Sequence, residues 1–269
     1  MREEINGHML IIGGAEDKEN RCTILRRLVD LSGAKQSKLV IMTVATEYPM
    51  KVGKEYKDIF HRLGLNNIDA LHIETRDDAN DPIKLKRLDN ATCVFFTGGD
   101  QLKITSLLGG SKLEAQLKNL FSTGLVIAGT SAGASAMSEI MITSGPDDEA
   151  PKKCTVKMAP GLGLLKGVVI DQHFAQRGRI GRLLAAVAQN PSVLGIGIDE
   201  DTAILVSNDC NFQVIGSNAV TILDGAKCSH TNVSETRPDD ILALTDMKLH
   251  ILPKGYSFDL KSKTPILRR

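Results

Sequence analysis

The sequence predicts an α/β protein in which a mostly parallel central sheet carries helices on both faces and continues into antiparallel C-terminal strands. Two observations support this prediction. Short apolar runs, each closed by Gly or a polar residue, alternate with segments that have apolar residues at helical spacing. From about Leu194 onward, strand-like runs follow one another with turn residues and no long helical segment between them.

The apolar runs of the first part of the chain are typical of parallel strands buried on both faces. In order, they are HMLIIGGA, KLVIMTVA, CVFFTGG, LVIAGTS and VVIDQHF. Helices are predicted for ENRCTILRRLVDLSG, VGKEYKDIFHRLG, LEAQLKNLFSTG and RIGRLLAAVAQN. The later runs GIGIDEDTAILV, FQVIG, AVTILDG and KLHILP are expected to extend the same sheet. The polar stretch 143–153 is expected to be a mobile loop.

Composition limits the possible functions. The 269 residues are 42% hydrophobic and 24% charged, which suits one globular domain over residues 1–269. A net charge of +1 argues against nucleic-acid binding through bulk charge, and no apolar run is long enough for a membrane span. The N-terminal stretch does not have the features of a signal peptide. Five scattered cysteines without a CxxC pair indicate free thiols and a cytoplasmic location, and they do not suggest a zinc site.

The most informative motif is G-x-S-x-G at residues 129–133, where an apolar strand is followed by a helix-compatible segment, ASAMSEI. This pattern is typical of a nucleophile elbow, in which a sharp turn lifts the serine off the sheet. Ser131 could then attack a carbonyl while the N–H of Ala132 stabilises the oxyanion. A packing motif, in which small residues let a helix approach the sheet, is the alternative, and the spacing alone does not separate the two.

A serine nucleophile needs a base, and a carboxylate usually orients that base. Of the six histidines, His173 lies at the end of an apolar strand, where open α/β sheets build their sites. Asp199, Glu200 and Asp201 are the candidate carboxylates, and they are adjacent to another apolar strand. The sequence pattern alone does not indicate which of the three faces the histidine.

Five motifs in order, GGAEDK, FTGGDQ, GTSAGASAMS, DQHFAQRGRIGRL and GIGIDEDTAI, strongly resemble the serine-peptidase family of the cyanophycinases and the aspartyl dipeptidases. The resemblance runs from about Leu10 to about Val206. It implies that Ser131 is the nucleophile, His173 the general base and Glu200 the acid that orients it. It also implies that Gly99 supplies a second oxyanion-hole N–H beside that of Ala132. A fold like the class I glutamine amidotransferases, which is flavodoxin-like, and a homodimer are further implications.

The resemblance also implies a substrate, cyanophycin, which is a polyaspartate with an arginine amide-linked to each β-carboxyl. The expected reaction is hydrolysis of its α-peptide backbone with release of β-Asp-Arg dipeptides, without a metal or cofactor. Each unit carries one guanidinium and one carboxylate, so a matching site needs both cationic and acidic or amide groups. The candidate substrate-binding residues are Gln101, Asp171, Gln172, Arg177, Arg179 and Arg182.

Other interpretations remain open at this point. The arginines could be a solvated helix face. The enzyme could be a dipeptidase that acts on short aspartyl peptides, although the arginine cluster favours the polymer. A non-catalytic binding protein with the same fold is a third interpretation, against which the intact set of Ser, His and Glu argues. The chain order Ser, His, Glu also differs from the order in α/β-hydrolases, which argues against a generic esterase.

Overall fold

Two mixed β-sheets lie at the centre of the structure. The computed structural model describes residues 7–154 and 156–267. Within these ranges the strands, in chain order, are β1 Met9–Ile12, β2 Lys38–Met42, β3 Asn67–Leu71, β4 Cys93–Phe96, β5 Val126–Thr130, β6 Ser138–Ser144, β7 Lys157–Pro160, β8 Leu165–Gln172, β9 Leu194–Ile198, β10 Thr202–Val206, β11 Asn211–Gly216, β12 Ala219–Asp224, β13 His230–Thr231, β14 Leu244–Thr245, β15 Lys248–Pro253, β16 Ser257–Asp259 and β17 Thr264–Ile266. The α-helices are α1 Thr23–Leu31, α2 Pro49–Arg62, α3 Pro82–Lys86, α4 Gln101–Leu108, α5 Lys112–Ser122, α6 Ala132–Ala136 and α7 Ile180–Gln189. Short 3-10 helices occur at Ala34–Gln36, Asp78–Asn80 and Ala175–Arg177.

The larger sheet has the strand order β17-β16-β11-β10-β1-β5-β4-β2-β3. Its strands β1, β5, β4, β2 and β3 pair in parallel. On the other side of β1, the strands β10, β11, β16 and β17 pair antiparallel. The first four predicted strands are β1, β2, β4 and β5 of this parallel part, and β3, which was not predicted, is its fifth strand.

The smaller sheet has the order β15-β12-β9-β8-β6-β7. Its strands β6, β8 and β9 pair in parallel, while β7, β12 and β15 pair antiparallel with their neighbours. The expectation of one sheet is therefore wrong, because VVIDQHF and GIGI, as β8 and β9, belong to this second sheet. The short turn between β9 and β10 is one of the places where the chain passes from one sheet to the other.

The four helices predicted from apolar spacing are confirmed as α1, α2, α5 and α7. The helix expected for ASAMSEI is shorter than predicted, because α6 ends at Ala136 and β6 begins at Ser138. The residues after α6 pair with both β7 and β8, so backbone pairing in the second sheet replaces helical hydrogen bonds there. The chain is thus of the mixed α/β class.

The largest cluster of buried apolar side chains contains residues of both sheets, among them Ile11 of β1, Ile127 of β5, Ile170 of β8 and Ile196 of β9. A second cluster lies between the larger sheet and helices α1 and α2. A third lies between the smaller sheet and α7. The shared cluster holds the ends of β5, β8 and β9 in fixed relation, and the candidate site residues follow these three strands.

Backbone hydrogen bonds near the end of β1 connect the segments that carry the site. Ser131 N–H donates to the carbonyl of Ile12 at 3.0 Å, and His173 N–H donates to that of Gly13 at 2.8 Å. Asp201 N–H donates to the carbonyl of Gly14 at 2.9 Å. The Gly13-Gly14 segment therefore sets the distances between the three turns.

Candidate active site

Ser131 occupies a strained turn between β5 and α6. Its φ of 52° and ψ of −111° lie outside the regions that side-chain-bearing residues ordinarily adopt. Such a conformation costs on the order of 1–3 kcal/mol and persists only where the surrounding structure imposes it. This geometry is that of a nucleophile elbow, which lifts the Ser131 side chain away from the sheet.

The two glycines of the motif allow close backbone approach around this turn. A Cβ on Gly129 would lie 2.5 Å from the carbonyl oxygen of Gly133. A Cβ on Gly133 would lie 2.5 Å from that of Phe96 at the end of β4. Both positions therefore exclude larger residues. The same two glycines allow close packing and the sharp turn at Ser131, so the two interpretations of the motif are compatible.

The structure brings Ser131, His173 and Glu200 into one hydrogen-bonded row. Ser131 Oγ lies 3.0 Å from His173 Nε2, and His173 Nδ1 lies 2.7 Å from Glu200 Oε1. The side chain of His173 is 13% exposed and that of Glu200 is 35% exposed. The Glu200 carboxylate fixes the proton on Nδ1, which leaves Nε2 as an acceptor for the Ser131 hydroxyl.

Glu200 lies in the turn between β9 and β10 and not within a strand. Its neighbours have other partners: Asp199 accepts the N–H groups of Ala175 and Ala219 at 3.0 and 3.2 Å. Asp201 accepts the N–H of Asp17 at 2.9 Å. Each of the three acids in this turn therefore has different hydrogen-bond partners, and Glu200 is the one that contacts the imidazole.

Two backbone N–H groups beside Ser131 are available to a ligand. Over residues 7–154 and 156–267, the N–H groups of Gly99 and Ala132 have no hydrogen-bond acceptor. Gly99 lines the same cavity as Ser131, and it has a φ of 142° that a residue with a side chain would rarely adopt. Its Cβ would also lie 2.2 Å from the carbonyl oxygen of Ala45. The arrangement is suited to an oxyanion hole, whose donors must be preorganised.

Gly14 contacts the imidazole of His173, a role that the sequence does not reveal. A Cβ on Gly14 would lie 2.4 Å from His173 Cε1 and 2.5 Å from Nε2. Gly14 also has a φ of 99°. The only available signal was the GG pair after the first strand, which lacks the dinucleotide-binding pattern and does not point to a histidine.

We expect Gly14→Ala to lower the rate at which a serine-directed phosphonate labels Ser131 by about 100-fold. The added methyl group displaces the imidazole, and misplacement of a reacting group by about 1 Å costs on this order. Gly33→Ala is the matched control, because Gly33 has a φ of 100° but no atom within 4 Å of its Cβ position. An equal effect of both substitutions would show that backbone strain, and not the contact with His173, is responsible.

A polar cavity of about 310 Å³, here called cavity 1, opens beside Ser131. Five of the six residues predicted to bind substrate line it, namely Gln101, Gln172, Arg177, Arg179 and Arg182. The remaining wall comes from Gly99, Ser131, His173 and the segment Thr143, Ser144 and Gly145. The residues predicted to bind substrate therefore lie together around cavity 1, with the exception of Asp171.

The structure corrects the expected position of Asp171. Its side chain is 1% exposed and does not line cavity 1, because both carboxylate oxygens accept hydrogen bonds from Arg182, at 2.6 Å from Nε and 2.5 Å from Nη2. Buried charges are normally paired in this way. Asp171 is thus placed to hold Arg182, not to contact a substrate guanidinium.

Arg179 is also buried and paired. Its Nη1 donates to the carbonyl and side-chain oxygens of Gln172 at 2.7 and 3.0 Å, and its Nε donates to Asp147 at 2.7 Å. Burial lowers the pKa of Arg179 despite these partners. Burial of Asp147 opposes its ionisation, but the hydrogen bond and charge of Arg179 outweigh that effect and lower its pKa.

Asp147 belongs to the stretch 143–153, which was expected to be a mobile loop. Arg182 Nη1 donates to the carbonyl of Gly145 at 3.3 Å, in addition to the Arg179 contact with Asp147. A Cβ on Gly181 would lie 1.8 Å from the carbonyl oxygen of Glu149, so this part of the loop packs directly on the start of α7. The loop is therefore anchored to the arginine network, and it forms part of the cavity wall.

Arg177 and Gln101 differ from the buried arginines. Arg177 is exposed at the cavity and, in the described part of the chain, forms no hydrogen bond or ion pair through its guanidinium. Gln101 is buried and donates to the carbonyls of Ile142 and Thr143 at 2.7 and 3.2 Å, which leaves its oxygen as an acceptor. Gln176, which the sequence analysis did not select, accepts the N–H of Glu200 at 3.0 Å.

No group of three or more His, Cys, Asp or Glu side chains suited to a metal ion occurs among the described residues. None of the helices in the described ranges is long and apolar enough to cross a membrane.

A profile described as peptidase family S51 matches residues 9–214. The chain is 37% identical over 267 residues to a cyanophycinase of Geminocystis herdmanii, an alignment that covers 99% of this chain and 98% of the relative. It is 38% identical over 257 residues to a cyanophycinase of Trichormus variabilis, covering 95% of this chain and 86% of the relative. The crystal structure of a peptidase from an acI-B1 Actinobacterium has a similar fold, with a TM-score of 0.64 at 22% identity over 92% of this chain and 98% of the other. The family profile and these relatives show that the chain is a peptidase. The chain belongs to peptidase family S51.

Proposed function

We propose that this chain is a cytoplasmic serine exopeptidase that hydrolyses the α-peptide backbone of cyanophycin and releases β-Asp-Arg dipeptides. The observation that carries the proposal is the row Ser131, His173 and Glu200 beside a cavity lined by arginine side chains. The relatives named cyanophycinase, which align over nearly the whole chain, support the same substrate.

The proposed reaction has two stages, acylation of Ser131 and hydrolysis of the acyl-enzyme, and His173 transfers the proton in both. Ser131 Oγ attacks the scissile carbonyl carbon while His173 Nε2 takes the hydroxyl proton. The N–H groups of Gly99 and Ala132 stabilise the oxyanion, and Glu200 stabilises the imidazolium. When the C–N bond breaks, His173 returns the proton to the departing amine. Water, deprotonated by His173, then hydrolyses the acyl-enzyme and restores the Ser131 hydroxyl.

The chemistry of cavity 1 suits the repeating unit of cyanophycin. Arg177 is exposed, and its guanidinium forms no hydrogen bond or ion pair with any residue that the structure describes, so it can bind a substrate carboxylate in bidentate fashion. The carboxamide oxygen of Gln101 can accept from a substrate N–H or guanidinium. Arg179 and Arg182 add positive charge to the wall while Asp147 and Asp171 hold them in place.

We expect Arg177→Ala to lower kcat/KM on cyanophycin by about 10- to 150-fold, the value of a hydrogen bond to a charged group. Labelling of Ser131 by a small serine reagent should be unchanged, because the hydrogen bond from Arg177 to His173 joins backbone N–H to carbonyl at 3.1 Å and is kept when the guanidinium is removed. Arg182→Ala should behave differently, because it leaves the carboxylate of Asp171 buried without its main partner, which typically costs about 3–5 kcal/mol of stability. Thermal unfolding of both variants separates the two roles. A large loss of stability with Arg177→Ala would contradict the assignment of Arg177 to substrate.

Incubation with insoluble cyanophycin, with mass spectrometry of the soluble fraction, tests the proposed function. We expect one main product with the mass of the β-Asp-Arg dipeptide. Short aspartyl dipeptides, assayed in parallel, should be poor substrates. Faster cleavage of the short peptides would support the dipeptidase interpretation, and no cleavage of either substrate would support a binding protein.

We further infer that residues 1–269 form one domain with a class I glutamine amidotransferase-like, flavodoxin-like arrangement that includes the antiparallel C-terminal strands. The apolar cluster shared by both sheets supports a single unit. A homodimer without a cofactor or metal requirement, acting without nucleic-acid or membrane partners, completes the proposal. Sedimentation velocity and activity in the presence of a chelator are the corresponding tests.

A further inference from the structure

A second cavity, of about 270 Å³ and here called cavity 2, shares Ser131 and His173 with cavity 1. Its other walls include the side chains of Lys18, Glu55 and Tyr56. The only lining residues that the two cavities have in common, among those described, are Ser131 and His173. A chain that extends through both cavities therefore passes the nucleophile and the base.

The two cavities carry opposite chemistry. Cavity 1 is lined by three arginines: Arg179 and Arg182 are paired with Asp147 and Asp171, while Arg177 forms no ion pair within the described ranges. Cavity 2 is lined by Glu16 and Glu55, and Lys18 pairs with Glu55. A substrate that presents a carboxylate on one side of the scissile bond and a cation on the other matches this asymmetry.

A cation lies against both a carboxylate and an aromatic ring in cavity 2. Lys18 Nζ lies 2.9 Å from Glu55 Oε1 and 4.5 Å from the centroid of the Tyr56 ring. A carboxylate beside an aromatic face is a receptor for cations, and the planar guanidinium both stacks on the ring and binds the carboxylate. The side chains of Lys18 and Glu55 are 32% and 46% exposed, so their ion pair is weak and open to exchange.

The floor of cavity 2 is rigid. Glu16 is 4% exposed and accepts hydrogen bonds from Tyr56 Oη at 2.5 Å and from Thr130 Oγ1 at 2.6 Å. Burial and the neighbouring Glu16 carboxyl raise the pKa of Tyr56, so the phenol keeps its proton and donates to Glu16. The Tyr56 ring is thereby fixed relative to Thr130, the residue immediately before the nucleophile.

We propose that cavity 2 is the subsite for the cyanophycin unit across the scissile bond from the unit in cavity 1, and that Glu55 and the Tyr56 ring hold its guanidinium in place of Lys18 Nζ. This inference rests on the proposed function. It adds a specificity-determining pair outside the arginine cluster, and it explains why an exposed Lys–Glu pair and a buried Tyr–Glu pair meet beside the nucleophile.

Two-unit cyanophycin peptides test this subsite when arginine is replaced by citrulline, a neutral isostere, in one unit or the other. For the wild-type enzyme, we expect kcat/KM to fall about tenfold when the unit in cavity 2 carries citrulline. In Glu55→Gln the preference for arginine over citrulline in the cavity 2 unit, measured as the ratio of the two kcat/KM values, should fall to less than about twofold. The same ratio for the other unit should be unchanged. Asp58→Asn is the matched control, an exposed carboxylate on the same helix that does not line the cavity.

Lys18→Met provides a second variant with an expectation of opposite sign. Removal of the resident ammonium frees Glu55, so the preference for arginine in that unit should rise roughly two- to fivefold. Loss of the preference for arginine over citrulline in Lys18→Met would overturn the proposal. Persistence of that preference in Glu55→Gln would also overturn it, as would an equal fall of the preference at both units in Glu55→Gln. Labelling of Ser131 at the wild-type rate verifies the fold of each variant. If the wild-type enzyme does not cleave the all-arginine peptide, the proposed function itself fails.

Discussion

Ser131→Ala is expected to lower kcat on cyanophycin by about 10⁴- to 10⁶-fold, the largest effect of any single substitution in this chain. Removal of the nucleophile from a triad leaves only substrate binding and the oxyanion hole. Binding of the polymer should be retained, because Ser131 lies between the two cavities and contributes no charge to either. Release of dipeptide measured by mass spectrometry gives kcat, and cosedimentation with insoluble cyanophycin gives binding.

Ser135→Ala is the control for this substitution. Ser135 is a buried serine of the same short helix α6, and its hydroxyl donates to the carbonyl of Ile170 at 3.4 Å and does not contact His173. We expect it to keep activity within a few-fold of the wild type. Full activity in Ser131→Ala, or an equal loss in Ser135→Ala, would contradict the assignment of the nucleophile.

Glu200→Gln is expected to lower kcat by about 10²- to 10⁴-fold, the second largest effect. The amide removes the negative charge that stabilises the imidazolium, and it no longer selects the tautomer in which Nδ1 carries the proton. The Glu200 side chain is about one third exposed, so solvent compensates for part of the lost charge. The expected fall in kcat is therefore smaller than that for Ser131→Ala. Single-turnover kinetics on a two-unit peptide measure the effect on acylation directly.

Asp201→Asn tests whether Glu200 is the correct one of the three adjacent acids. Asp201 accepts from the backbone N–H of Asp17 and from the hydroxyl of Ser217, and neither contact reaches the imidazole. Its substitution should lower kcat by no more than several-fold. A larger loss in Asp201→Asn than in Glu200→Gln would show that the turn uses a different acid in the reaction.

Much of the candidate site could be predicted from the sequence because local patterns determine it. The G-x-S-x-G motif marks a turn that only small residues permit, and a histidine at the end of a buried strand lies where α/β sheets build sites. These two patterns select Ser131 and His173 as candidates, and the family resemblance supplies the roles expected of them. The arginines of HFAQRGRIGRL follow from the chemistry that a carboxylate ligand needs.

The remainder depends on contacts between distant segments. The second sheet arises because β8 and β9 pair with β6 and β12, which apolar periodicity does not indicate. Asp171 is paired with Arg182 on α7. The sequence does not show this pairing, so it could not indicate that Asp171 is a buried counter-ion and not a ligand-binding acid. Gly14 packs against His173 although the two residues are 159 positions apart in the chain.

Titration with a serine-directed phosphonate, with dipeptide release from cyanophycin measured at each degree of labelling, tests the central claim most directly. The account predicts that release falls in proportion to the label on Ser131 and stops at one label per chain, as located by peptide mapping. Continued release from fully labelled protein would contradict it. So would inactivation that tracks a label on a cysteine and leaves Ser131 unmodified.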